Sequence, residues 1–154
     1  MSTVKVIADM FEEMHWSGDF TRDDAEIIAC SLGLHTHEPG DCIFREGDDK
    51  NYMAFIAQGH VDIVKKSPDC TERVLVTLGP KTHFGEMAFI DDEPRSASAT
   101  ARDKVTLLIL TRDKFDYLVG AYPALGVKML RSITRLISRR LRQTTGNLAY
   151  FGTP

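Results

Sequence analysis

Between Leu32 and Thr111 the chain never runs far without a turn. Pro39-Gly40, Gly47-Asp48, Gln58-Gly59, Ser67-Pro68-Asp69 and Gly79-Pro80 interrupt it at short intervals. Only short strands fit between them, and the candidates are residues 32–36, 41–45, 52–57, 60–66, 72–78, 97–102 and 105–111. Many short strands with turn chemistry between them predict an antiparallel sandwich or barrel. Alternation agrees, because Val61/Ile63, Val74/Val76/Leu78 and Ala97/Ala99/Ala101 each fall on one face of a strand.

Helical spacing flanks this region. Val4, Ile7, Ala8, Phe11 and Met14 make one apolar face over residues 3–15, and Ser17-Gly18-Asp19 should break it. Thr21, with Asp24 three residues on, reads as the N-cap of a second short helix. After Thr111 a short helix is expected over 112–119. Pro123 then suits the first turn of a long helix running to about Thr144. Its stripe of Leu125, Met129, Leu130, Ile133, Leu136, Ile137 and Leu141 is wider than one contact needs. One edge can bury on the barrel and the other on a second copy of the chain. The expected layout is therefore a helical cap over 1–30, a β core over 31–112 and C-terminal helices over 113–154, in one domain. The fold class is mainly β: an antiparallel jelly-roll barrel with N-terminal helices and a long C-terminal dimerisation helix.

The net charge of −3 is unevenly spread. Residues 117–154 hold six basic side chains and no acidic one, so the rest is more acidic than the net value. An acidic body does not read as a nonspecific nucleic-acid binder. Arg131, Arg135 and Arg139 form a basic stripe on the long helix. It fits a solvated face, helped by the helix dipole, or a partner or acidic surface on the same protein. No apolar run approaches the ~20 residues of a membrane span, and Asp9, Glu12 and Glu13 rule out a secretory signal at the start. Cys30, Cys42 and Cys70 are odd in number and widely spaced, which suits reduced thiols and a cytoplasmic location.

One stretch carries recognisable chemistry, from Phe84-Gly85-Glu86-Met87-Ala88-Phe89 to Pro94-Arg95-Ser96-Ala97. Gly85 lets the backbone approach a ligand, and an ionised Glu86 only accepts hydrogen bonds. Ala88 sits in a short helical turn whose free N–H groups suit an anion. Arg95 supplies a fork for phosphate oxygens, and Ser96 a hydroxyl. A ligand with both hydroxyls and a phosphate, such as a ribose phosphate, fits this set. The alternative is a plain Glu86–Arg95 salt bridge at a loop.

The stretch resembles the phosphate-binding cassette of cyclic-nucleotide-binding domains, with every element at the right spacing. The resemblance implies that Glu86 binds the ribose 2′-hydroxyl and Arg95 the cyclic phosphate, with Ser96 beside it. The backbone near Gly85, Met87, Ala88 and Ala97 would hold the ring. Gly40, Ile43-Phe44, Gly47-Asp48 and Gly59 resemble the same family's jelly-roll frame. Lys81 departs from it, standing where the family often has a glycine, which predicts a changed loop conformation. The ending from Arg139 to Thr145, followed by Gly146-Asn147, is similar to the helix end and hinge of the catabolite activator protein in this family. That likeness implies that Thr144 and Thr145 contact adenine, one of them reaching across from a partner subunit; a frayed polar helix end is the other reading. It also implies dimerisation through residues 123–144.

The implied function is a sensor rather than an enzyme. Its ligand is cyclic AMP (cAMP), which Ser96 favours modestly, with cyclic GMP as the other candidate. Its output passes through the long helix to a downstream protein partner. A nucleotide-independent dimerisation or docking module is the competing reading. Nothing after Thr145 is long enough for a helix-turn-helix, so direct DNA binding is not expected. The chain fits equally a free-standing sensor and a segment of a longer protein. His35 and His37 alternate on a strand and raise a metal-dependent jelly-roll enzyme. Glu46 comes too late after His37 for that class, and no later histidine box follows, so no metal site is expected.

Overall fold

The computed structural model describes residues 2–15 and 19–151. Helices α1 (Thr3–Glu12) and α2 (Arg22–Ala29) lead into eight strands: β1 (Gly33–His37), β2 (Cys42–Phe44), β3 (Met53–Gln58), β4 (Val61–Lys66), β5 (Glu72–Leu78), β6 (His83–Phe84), β7 (Ser98–Ala101) and β8 (Val105–Leu110). Helix α3 (Glu86–Asp91) falls between β6 and β7, and α4 (Arg112–Ala121) and α5 (Pro123–Phe151) close the chain. The strands form two antiparallel sheets, ordered β1-β8-β3-β6 and β2-β7-β4-β5. This is the helix-flanked antiparallel architecture that the turn spacing predicts. Thr21 caps α2 reciprocally with Asp24, a capping box. The expected break at Ser17-Gly18 lies outside the described residues.

Strand periodicity divides the core in two. Ala54 and Ile56 of β3, with Leu107 and Ile109 of β8, face the interior between the sheets and meet Ile43, Phe44, Phe84 and Ala99. Met53, Phe55, Leu108 and Leu110 point to the opposite face. There α1, α2, α4 and α5 cover them through Phe11, Ile28, Phe115, Leu118, Met129 and Ile133. Being buried on both faces, β3 and β8 read as nearly unbroken apolar runs.

Three sequence expectations need correction. Val76 and Leu78 share a face as predicted, but Val74 does not, and Val74, Leu75 and Val76 are all exposed on β5, the outer strand of its sheet. Ile63 pairs with Val76 and Val64 with Val74, so Leu75 is an extra residue at a bulge. Lys81 does not change its turn away from glycine geometry: it adopts φ 74° itself, the region a glycine would occupy freely. Finally, α5 does not end near Thr144; it continues through Gly146 to Phe151. The wide stripe on α5 splits as expected, with Leu125, Met129 and Ile133 buried and Leu130 and Leu141 exposed.

Candidate functional site

The cassette folds around Gly85. With φ 82° this glycine is the N-cap of α3, and no side chain caps that helix start. A Cβ on Gly85 would lie 2.8 Å from Arg95 Nη1 and 3.1 Å from Tyr52 O. The glycine is therefore required by the close approach of the guanidinium as well as by its backbone angle.

Arg95 is 4% exposed and locked by its surroundings. Nη1 donates to Gly85 O at 2.9 Å and Nη2 to Tyr52 O at 2.5 Å. Its Cζ sits 4.0 Å from the centre of the Phe44 ring and 5.0 Å from that of Tyr52. The backbone is pinned too, since Arg95 N donates to Asp48 O at 2.9 Å and Gly47 N to Arg95 O at 2.8 Å. Arg95 Nε is buried with no hydrogen-bond partner among the described residues. Burial pushes the guanidinium below its ordinary value, with Tyr52, Glu86 and Asp48 opposing. A charge paid for by so little solvent gains from an incoming anion.

Glu86, at the first position of α3, is also 4% exposed. Its partners come from farther off. Arg140 on α5 donates from Nη1 to Glu86 Oε1 and from Nη2 to His83 O, the latter at 2.7 Å. His83 Nδ1 lies 3.5 Å from Glu86 Oε2. Burial works to raise the Glu86 carboxyl, but His83 and the charge of Arg140 outweigh it and hold the group below its ordinary value. The plain Glu86–Arg95 salt bridge is not formed.

Both side chains line one cavity of about 590 Å³. Gly85, Met87, Ala88, Ser96 and Ala97 line it from the cassette. Ile63, Val76 and Leu78 supply an apolar wall from β4 and β5, so the exposed face of β5 is the side of a hollow. Arg140, Gln143 and Thr144 close it from α5. Thr144 Oγ1 is hydrogen-bonded to Arg140 O at 2.9 Å. Thr145 is exposed and does not line the cavity of its own chain. A cavity of this size, apolar on one side and bearing an anion acceptor and a cation on the other, suits a small polar heterocycle joined to a phosphate.

A family model described as the cyclic nucleotide-binding domain matches residues 34–122. The chain belongs to that family. It is 34% identical over 110 residues to a CRP-like cAMP-activated global transcriptional regulator of Mycobacterium tuberculosis, covering 71% of this chain and 47% of that protein. It is 35% identical over 121 residues to the cyclic AMP receptor protein of Thermus thermophilus, covering 79% and 54%. The chain thus spans about half the length of these relatives. Its fold is shared with a cyclic nucleotide-binding domain from Methylobacillus flagellatus, with a TM-score of 0.85 at 24% identity over 98% of this chain and 85% of that one. The Thermus thermophilus catabolite activator protein superposes with a TM-score of 0.79 at 28% identity, over 89% and 62%.

Sequence reasoning missed Arg140, Gln143 and Tyr52 as cavity or clamp residues. The basic stripe was the available signal for Arg140, but that residue sits beside the stripe of Arg131, Arg135 and Arg139. Part of the basic tail answers acidic groups of the same chain: Arg135 pairs with Asp19 and Lys128 with Asp24, both at 3.0 Å. His35 is exposed and His37 half-buried. Among the described residues, no group of three or more His, Cys, Asp or Glu is placed to hold a metal ion. Nor is any described helix long and apolar enough to cross a membrane.

Proposed function

We propose that the cavity is a sensor site for a cyclic nucleotide, with cyclic AMP preferred, and that binding is read out by α5. The supporting observation is the shared hollow: Arg95, Ser96 and Glu86 all line it, and α5 contributes Arg140, Gln143 and Thr144. In this reading the cyclic phosphate accepts from Arg95 and the Ser96 hydroxyl. The ribose 2′-hydroxyl donates to Glu86. That carboxylate is held by Arg140, so the nucleotide must share or displace the contact, and the position of α5 follows site occupancy.

Thr144 lies where a hydroxyl can read the purine edge. Thr145 faces away, which fits the second contact of a two-fold dimer paired through residues 123–144: it would serve the neighbouring subunit's cavity. Leu130 and Leu141 leave an apolar edge on α5 for that pairing. A downstream protein partner, reached in the cytoplasm, would then receive the change in α5.

Titration calorimetry with cyclic AMP and cyclic GMP tests the reading. Saturable heat with both, stronger for cyclic AMP, is the expected result, with a rise in melting temperature as ligand is added. One observation favours a second reading: Arg140 already occupies Glu86. No heat with either nucleotide, together with a stable dimer in sedimentation, would leave a nucleotide-independent docking module.

A further inference from the structure

We propose that a second cavity, on the far side of Arg140 from the cassette, binds a small phosphate-class polyanion of about the size of pyrophosphate. Its volume is about 270 Å³. One wall is a single face of α5, where Ser132, Arg135, Leu136, Arg139 and Arg140 recur in steps of three and four. Lys81 and His83 line the other wall, from the turn after β5 and from β6.

The charge of this hollow is one-sided. Four Lys or Arg side chains line it against one carboxylate, Asp19. Asp19 is used by Arg135 at 3.0 Å, and Arg140 is turned towards Glu86 in the first cavity. Lys81 Nζ stands 4.0 Å from its nearest acid, the exposed Glu13. Arg139 has no ion pair among the described residues. Two cations of one hollow thus stay poorly compensated, and their mutual repulsion is relieved by a shared anion.

Two further observations agree. Ser132 and His83 are each 4% exposed, so the cavity has a buried polar lining as well as a charged rim. Lys81 also holds φ 74° at a turn where a glycine would be unstrained. A side chain kept there costs about 1 kcal/mol of backbone strain and places an ammonium at the rim. The volume falls just below the usual range for drug-sized ligands, which selects a compact anion over a whole nucleotide.

The test is calorimetric titration of the full chain with pyrophosphate at constant ionic strength. Four variants accompany it, each checked for folding by its melting curve. Arg139→Gln and Lys81→Gln should each weaken binding about tenfold, as expected for loss of one charge-assisted contact. Arg131→Gln, on α5 but outside both cavities, should bind like the parent, and Arg95→Lys reports any anion held in the first cavity instead. Absence of saturable heat overturns the proposal. So does loss of binding in Arg95→Lys with Arg139→Gln unaffected, which would put the anion in the first cavity. Equal weakening by Arg131→Gln and Arg139→Gln also overturns it, since that reports only diffuse charge.

Discussion

The two charged groups of the cassette cavity are held in different ways. Arg95 is fixed by its own neighbourhood: two backbone carbonyls, two aromatic rings and the turn at Gly47-Asp48. Glu86 is held by His83 beside it and by a guanidinium reaching in from α5. A group gripped by several parts of the β core is preorganised and cannot move without breaking that core. A group held in part by a distant helix can be released while that core stays intact. Under the proposed function, a binding event would pass through Glu86 and Arg140 rather than through Arg95.

The largest effect should come from the fixed group. Arg95→Ala is expected to weaken cyclic AMP by about 2–4 kcal/mol in calorimetry, because a buried phosphate would lose a charged partner. Unchanged affinity would remove Arg95 from the site. Next comes Gly85→Ala, whose Cβ would press on Arg95 Nη1 and whose φ of 82° strains any side chain. Chemical denaturation should show about 2 kcal/mol of lost stability. A silent substitution would mean that the fixed group is looser than its contacts indicate.

The smallest effect belongs to the movable group. Arg140→Ala should cost about 1 kcal/mol of stability at neutral pH, a modest figure because the guanidinium is partly in water. The pH dependence sharpens this. The Glu86 carboxyl is held below its ordinary value in the folded chain, with burial opposing and His83 and Arg140 prevailing. Its contribution is therefore complete above the ordinary carboxylate range and is lost as pH falls through the lowered folded value. The stability gap between parent and Arg140→Ala should close on acidification. A gap independent of pH would show that Arg140 acts by packing rather than by charge.

Much of the fold was legible because its signals are local. Turn residues mark the strand ends, and Thr21 with Asp24 marks the start of α2. The two-residue strand β6 was not legible, since two residues carry no period. The bulge at Leu75 was also hidden: alternation assumes an unbroken pleat, and one extra residue turns Val74 to the face opposite Val76. In the site, the cassette residues could be named because they are contiguous. Arg140 could not, because its partner Glu86 is remote in sequence and nothing in the run Arg139-Arg140-Leu141-Arg142 says which arginine turns inward. The likeness to a helix end before Gly146-Asn147 did not carry over: α5 runs through Gly146, and one glycine in an otherwise favourable helix costs only about 1 kcal/mol.

The unbroken course of α5 has a mechanical corollary. At about 1.5 Å per residue, its 29 residues make a rod roughly 43 Å long. Its fully buried seats are Leu125, Met129 and Ile133, with Ile137 packed against the same core one turn on. Taking Ile133 as the fulcrum, Arg140 lies about 10 Å out and the helix end about 27 Å out. A tilt that shifts Arg140 by one ångström therefore swings the far tip by about two and a half, so a small displacement beside Glu86 becomes a large one at a distance.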